Sequence, residues 1–204
     1  MGSPHGAMVR PAIVDGELNI LSTSSADRVG SSTAVETEPL PRAGSQLMAI
    51  IRIGAGVLWL TNTNWKTPPD FGQSGNGGLY GYTKDAVDHS VFAPFSWIVQ
   101  HGVLPNFRAF GWMVLVLEAA LAAFLILGLT TRFWALVGAV QAAAIGLSVG
   151  LSPGEWPWSY YLMVMVNLSL WATAAGRTWG LDGVVRPVLA MRPGRVASTL
   201  RRAT

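Results

Sequence analysis

FGWMVLVLEAALAAFLILGL, residues 110–129, is the stretch on which the reading of this chain turns. It is twenty residues long and holds a single charge, Glu118. A helix of that length rises about 30 Å, close to the thickness of a bilayer's hydrocarbon core. A water-soluble core has no need of so long an apolar run, so a transmembrane helix is predicted. Glu118 then lies deep in the membrane. An ionised carboxylate there costs roughly 2.5–3.5 kcal/mol or more unless it is paired, hydrated or protonated.

The composition agrees with a membrane location. Half of the 204 residues are hydrophobic and only 12% are charged, against about 25% charged in soluble domains. Nine Trp suit two interfacial belts. Three more runs have spanning character: residues 45–63 (SQLMAIIRIGAGVLWLTNT), 133–151 and 159–175. The expected fold class is therefore an all-α integral membrane protein. Its core is a four-transmembrane-helix bundle with a long extracytoplasmic connection between the first two spans.

Within that connection, NWKTPPDF (residues 64–71) predicts an extended exit made rigid by Pro68 and Pro69. The Gly/Tyr-rich piece at 72–84 reads as a lid or a plain loop. Residues 85–102 read as an interfacial helix, with Val91, Phe92, Phe95, Ile98 and Val99 on its apolar side, a break at Pro94, and an end at Pro105. Gly54 and Gly56 in the first span predict close approach of a neighbouring helix. Trp156 and Trp158, between spans 3 and 4, read as interfacial anchors. Residues 1–44 are polar and predicted to be disordered and cytoplasmic, with 12–21 ordering on a partner and Met8 an alternative start. The membrane domain covers 45–185, and 186–204 form a basic cytoplasmic tail. Basic residues number ten on the side of both termini and the 2–3 loop, and three in the 64–109 connection. Both termini are then cytoplasmic in an inner (cytoplasmic) membrane.

Every span carries one strongly polar residue: Arg52, Glu118, Gln141 and Asn167. At 1.5 Å per residue, Gln141 and Asn167 lie about 12 Å and Glu118 about 16 Å from the cytoplasmic ends, within reach of a long Arg side chain. The expectation is a buried Arg52–Glu118 network with Gln141 and Asn167 at the same level. It would bind a polar head group such as a quinone carbonyl, or handle a proton. The competing reading is interhelical hydrogen bonding, worth about 0.6–2 kcal/mol per bond.

The sequence excludes several chemistries. It contains no Cys, hence no disulfide, iron–sulfur ligation or thiolate zinc site within this chain. Its three His (His5, His89 and His101) fall outside the predicted spans, which excludes a bis-histidine haem in the bundle. His89 and His101, twelve residues apart, match no compact metal motif and read as surface residues. A quinone remains the candidate cofactor. Tyr80, Tyr82, Trp97 and Trp112 read either as a pocket mouth or as belt residues. Nucleic acid is not an expected partner, because the Arg residues sit beside a membrane helix; membrane lipid is, and a homo-oligomer is compatible with this reading.

Glu118 followed by FLILGLTTRFWALVGAVQ (residues 124–141), the junction AAGRTWGLDGVV (174–185), and Arg52-Ile53 in the first span together resemble the DoxX family. NWKTPPDF and HGVLPNF give the chain the look of the DoxD-type branch, related to the small membrane subunit of thiosulfate:quinone oxidoreductase. The resemblance covers about residues 47–185. It implies a four-helix membrane bundle and a quinone-linked redox role with a redox partner or second subunit; for actinobacterial members, a group the high Arg and Ala content here would suit, it implies a scaffold joining a thiol oxidoreductase to a superoxide dismutase. Under the enzymatic expectation Arg52 and Glu118 act in catalysis, Trp59, Gln141 and Asn167 help hold the quinone, and Trp65 and Lys66 line a periplasmic mouth where Lys66 attracts an anion such as thiosulfate. The rival expectation is a non-catalytic scaffold or accessory subunit; a transporter ranks third. Past the fourth span, Arg177 can reach the last helix carbonyls or lipid phosphates, and Asp182 can pair with Arg132 in the 2–3 turn.

Overall fold

A computed structural model describes Gly2 and residues 41–204. The expected disorder up to position 40, the ordering of 12–21 and the reading of Met8 therefore lie outside the described residues, Gly2 apart; at 42–44, where disorder is also expected, the chain is already helical as the start of the first helix. Among the described residues the chain is all helical, with no strand. Helix α1 spans Arg42–Thr63, α2 Gly78–Asp88, α3 Ala93–Ile98 and α4 Phe107–Leu127. Helix α5 spans Thr131–Val149, α6 Pro157–Thr173, α7 Asp182–Ala190 and α8 Arg195–Ala203.

Three helical stretches are long and apolar enough to cross a membrane: α1, the continuous run Ala93–Leu127, and α5. The sequence predicts that Pro105 ends an interfacial helix before the second span; instead the helical path continues through it. A proline lacks the N–H that an α-helical turn needs. The backbone passes it through a π turn at Val99–Val103 and a 3₁₀ turn at Leu104–Asn106, which shift the hydrogen-bond register without breaking the helical path. Helix α6 is shorter, 17 residues, and starts on Pro157, where a missing N–H costs nothing. Helix α7 runs through position 185, where the sequence places the edge of the membrane domain.

The long helices pack in a ring of neighbours: α1 on α4, α4 on α5, α5 on α6, and α6 on α1. Their shared core holds Ala55, Trp59, Leu121, Leu125, Ala142 and Leu170. Lipid tails are as apolar as leucine, so close backbone approach and van der Waals contact must hold such helices together. Gly56 supplies that approach: a Cβ there would stand 3.1 Å from the Ala122 carbonyl oxygen and 2.7 Å from Ile126. Gly54 does not, because a Cβ there meets nothing within 4 Å. Large apolar residues such as Leu58, Val116, Val140 and Met165 point outward from all four helices, as lipid-facing residues do.

Residues 64–106 fold back onto this helical core. The exit includes a cis peptide between Pro68 and Pro69. Phe71 is fully buried and seated on Gly111, where a Cβ would come within 2.9 Å of three ring atoms. Phe71, Leu79, Phe107 and Val114 form a second core over the start of α4. Helix α2 occupies most of the Gly/Tyr-rich piece and packs against α5 and α4. Trp156 and Trp158 are exposed and meet edge to face.

Candidate functional site

Helix α4 buries Val114, Glu118, Leu121 and Leu125 along one stripe at three- and four-residue spacing. That stripe turns Glu118 into the protein. Its neighbour is Lys66, three residues beyond the end of α1, where the exit toward Pro68 and Pro69 folds the side chain back under the connection. Lys66 Nζ stands 2.6 Å from Glu118 Oε2, and both side chains are at most 2% exposed. Lys66 also donates to the Asn62 carbonyl at 2.7 Å.

Asn62 completes the clamp. Its Nδ2 donates to Glu118 Oε1 at 3.2 Å, and its Oδ1 accepts from the Trp65 indole at 3.1 Å. The Gln141 side chain, from α5, lines the same cavity as Glu118. The Lys66 ammonium lies 4.1 Å from the centre of the Trp65 ring, a cation–π distance. Burial pulls the Lys66 pKa below the ordinary lysine range, and the carboxylate beside it acts in the opposite direction. Two opposite charges are thus held together, each with further hydrogen bonds. That is the condition under which burying an ion pair is tolerated.

The pair lies on the wall of a cavity of about 530 Å³, within the range of small-molecule sites. Phe95, Ile98, Phe110 and Met113 give it an apolar interior. Besides the clamp, its polar groups include Tyr82, Ser148, Glu155 and Tyr160. The Tyr160 hydroxyl donates to the Glu155 carboxylate. Tyr82 meets Trp65 edge to face, with ring centres 5.3 Å apart. The connection between α1 and α4 forms one side of the cavity through α2, α3 and the π turn.

The predicted residues divide into two groups. Glu118, Gln141, Lys66 and Trp65 are brought together at the cavity. Arg52 is not. The expected Arg52–Glu118 network does not form, because Arg52 points to the opposite end of the helices. There it donates to the carbonyls of Ala175 at 3.0 Å, Thr178 at 3.3 Å and Trp179 at 2.9 Å. Those carbonyls follow α6, where the chain leaves helical geometry at Ala174 (φ 48°) and Trp179 (φ 51°). A guanidinium can satisfy several such groups at once.

Asn167 also stays apart. Its Nδ2 donates to the Met163 carbonyl of its own helix, and its Oδ1 faces Gly138 of α5. Trp59 packs in the main core rather than at the cavity. Of the four aromatics read as a pocket mouth, Tyr82 lines the cavity, whereas Tyr80 packs on Phe107, Trp112 on Phe71, and Trp97 on His101.

Asp182 does not take Arg132 as its partner. Its two carboxylate oxygens accept the backbone N–H groups of Thr130 at 2.7 Å and Thr131 at 2.9 Å. Arg132 donates instead to the Trp171 carbonyl. Asn62, Glu155 and Tyr160 escaped the sequence reading. The signal for Asn62 was its position four residues before Lys66, one helical turn away; Glu155 is the sole acid between the third and fourth apolar runs. Among the described residues, no group of His, Asp and Glu is placed to hold a metal ion. Comparison with family models, curated proteins and solved structures finds no match for this chain.

Proposed function

We propose that this chain is the membrane subunit of a quinone-linked redox system, and that the cavity beside Lys66 and Glu118 takes the quinone head group. The observation that carries this reading is the buried Lys66–Glu118 pair on the wall of an otherwise largely apolar cavity. Intramembrane ionisable residues are costly, and they are retained where they handle a ligand or a proton. A quinone, when bound, supplies the capacity to take up two electrons and two protons. Lys66 and the Gln141 amide would provide hydrogen-bond donors for a carbonyl oxygen; the Lys66 ammonium would be the proton donor to it, with Glu118 beside it to hold the replacement proton. The apolar walls suit a ring and the start of an isoprenoid tail.

In this reading the membrane domain is a bundle of four spans, with α6 as the short fourth one, both termini cytoplasmic and the α1–α4 connection outside. The resemblance to the DoxX family at residues 124–141 and 174–185 supports the same placement in an inner membrane. Electrons come from outside this chain, from a partner protein or a second, reduced substrate. The charge balance at the cavity favours a neutral ligand over thiosulfate, because Glu118 already neutralises the one lysine that would attract an anion.

The test is purification of the full chain from native membranes in mild detergent, with mass spectrometry of lipids and proteins in one sample. Quinone near one per chain, lost in Lys66→Met and Glu118→Gln, supports the proposal. A stoichiometric redox partner with no bound quinone supports a scaffold instead.

A further inference from the structure

The C-terminal part of the chain carries a second feature, independent of the cavity. From Arg177 onward there are six Arg and a single acid, Asp182. Asp182 is fully buried, and both its oxygens are committed to the N–H groups of the α4–α5 turn. No other acidic side chain lies in this part of the chain. Among the described residues, no Arg forms a salt bridge with an acidic side chain.

Two of these arginines, Arg177 and Arg186, converge. Arg177 Nη2 reaches a main-chain carboxyl oxygen of Thr204, the last residue, at 3.4 Å, and Arg186 Nη1 reaches the same oxygen at 3.4 Å and the Arg201 carbonyl at 3.5 Å. These contacts are long and involve one nitrogen of each guanidinium, which leaves most of its five N–H donors open. Burial lowers the Arg177 pKa from the ordinary arginine value; Arg186 and Arg132 act in the same direction and Asp182 in the opposite one.

Apolar stripes lie on the same two helices. Helix α7 turns Val184, Val188 and Met191 outward at four- and three-residue spacing. Helix α8 does the same with Val196, which is 75% exposed, and Leu200. Around the axis of α8, at 100° per residue, Val196, Leu200 and Ala203 share one side, and Arg195, Ser198 and Arg202 the other. Trp179 and Leu181, in the link between α6 and α7, are exposed as well. Helices with apolar residues on one face and Arg on the other lie in the plane of a bilayer surface, and anionic headgroups strengthen that binding.

We propose that α7 and α8 form a seat for anionic phospholipid, in which Arg177 and Arg186 bind headgroup phosphate and the Val196–Leu200 face enters the acyl boundary. Two neighbouring guanidiniums with most of their N–H donors open fit a phosphate by charge and by fork geometry. The apolar stripes beside it fit lipid better than a soluble anion or a nucleic acid, neither of which would cover them.

The experiment uses the full chain in nanodiscs made of phosphatidylcholine alone or with phosphatidylglycerol. Limited trypsin cleavage after Arg195, Arg201 and Arg202 is followed by mass spectrometry. Phosphatidylglycerol should slow cleavage at these sites by about fivefold or more, and high salt should reverse much of the effect. Arg177→Gln with Arg186→Gln should remove the dependence on phosphatidylglycerol. Should that double variant misfold, the lipid and salt comparison on the unaltered chain decides alone. Equal cleavage in both lipids overturns the proposal, as does protection that appears only when a soluble protein is added.

Discussion

Lys66 and Glu118, 52 positions apart in the sequence, meet with Nζ and Oε2 2.6 Å apart. One lies just past the end of α1 and the other in the middle of α4, so the contact ties the exit from the first helix to the interior of the second. It also sets the polar corner of the cavity.

Breaking this pair from one side should be worse than removing it. Lys66→Met or Glu118→Gln alone leaves its partner without its counter-charge in a buried site, at a cost of about 3–5 kcal/mol for a fully uncompensated charge. The double variant should regain most of the lost thermal stability in detergent while failing to retain quinone. If the two single losses simply add in the double variant, the two charges are not coupled.

Arg52→Leu should lower stability without altering ligand binding per folded molecule. It removes contacts to three carbonyls, and hydrogen bonds from a charged group contribute about 1.5–3 kcal/mol each when made in protected surroundings. Thermal unfolding and quinone binding, measured on the same folded fraction, separate the two effects. A selective loss of binding would return Arg52 to the site.

The two glycines of α1 should respond oppositely. Gly54→Ala adds a methyl group where no atom lies within 4 Å, and alanine is the better helix former by about 1 kcal/mol. Gly56→Ala forces α1 away from Ala122 and Ile126, an overpacking cost of about 1–3 kcal/mol. Melting temperatures of the two variants in the same detergent check the contrast.

Asp182→Asn should destabilise the α4–α5 turn by about 1–3 kcal/mol, since an amide can no longer accept at both oxygens. Arg132→Gln should leave that turn intact, because Arg132 bonds the Trp171 carbonyl. Hydrogen exchange at the Thr130 and Thr131 amides reads the turn directly.

Much of the fold was legible because membrane helices obey a simple length rule. The run at 110–129 and the apolar runs beside it stand out by length alone, and Glu118 stands out because it interrupts one. Its partner was harder to read. Depth counted along straight helices placed Arg52 near Glu118, but that count ignores where a long side chain finds unsatisfied carbonyls. Those carbonyls exist only because the backbone takes positive φ at Ala174 and Trp179, residue types that give no such signal. Lys66 reaches Glu118 because the exit after α1 folds back over α4, held by Phe71 against Gly111. That is a tertiary event with no local signature. The merging of α3 into α4 was hidden for a related reason: Pro105 reads as a stop, and a π turn passes it.

The measurement that bears most directly on the central claim is photolabelling of the full chain in membranes with an azidoquinone. Label on peptides containing Lys66, Tyr82 or Met113, competed away by unlabelled quinone and lost in the Lys66→Met/Glu118→Gln variant, is the predicted result. Label confined to outward-facing residues such as Val116 and Met165, indifferent to competitor and to both substitutions, would contradict it.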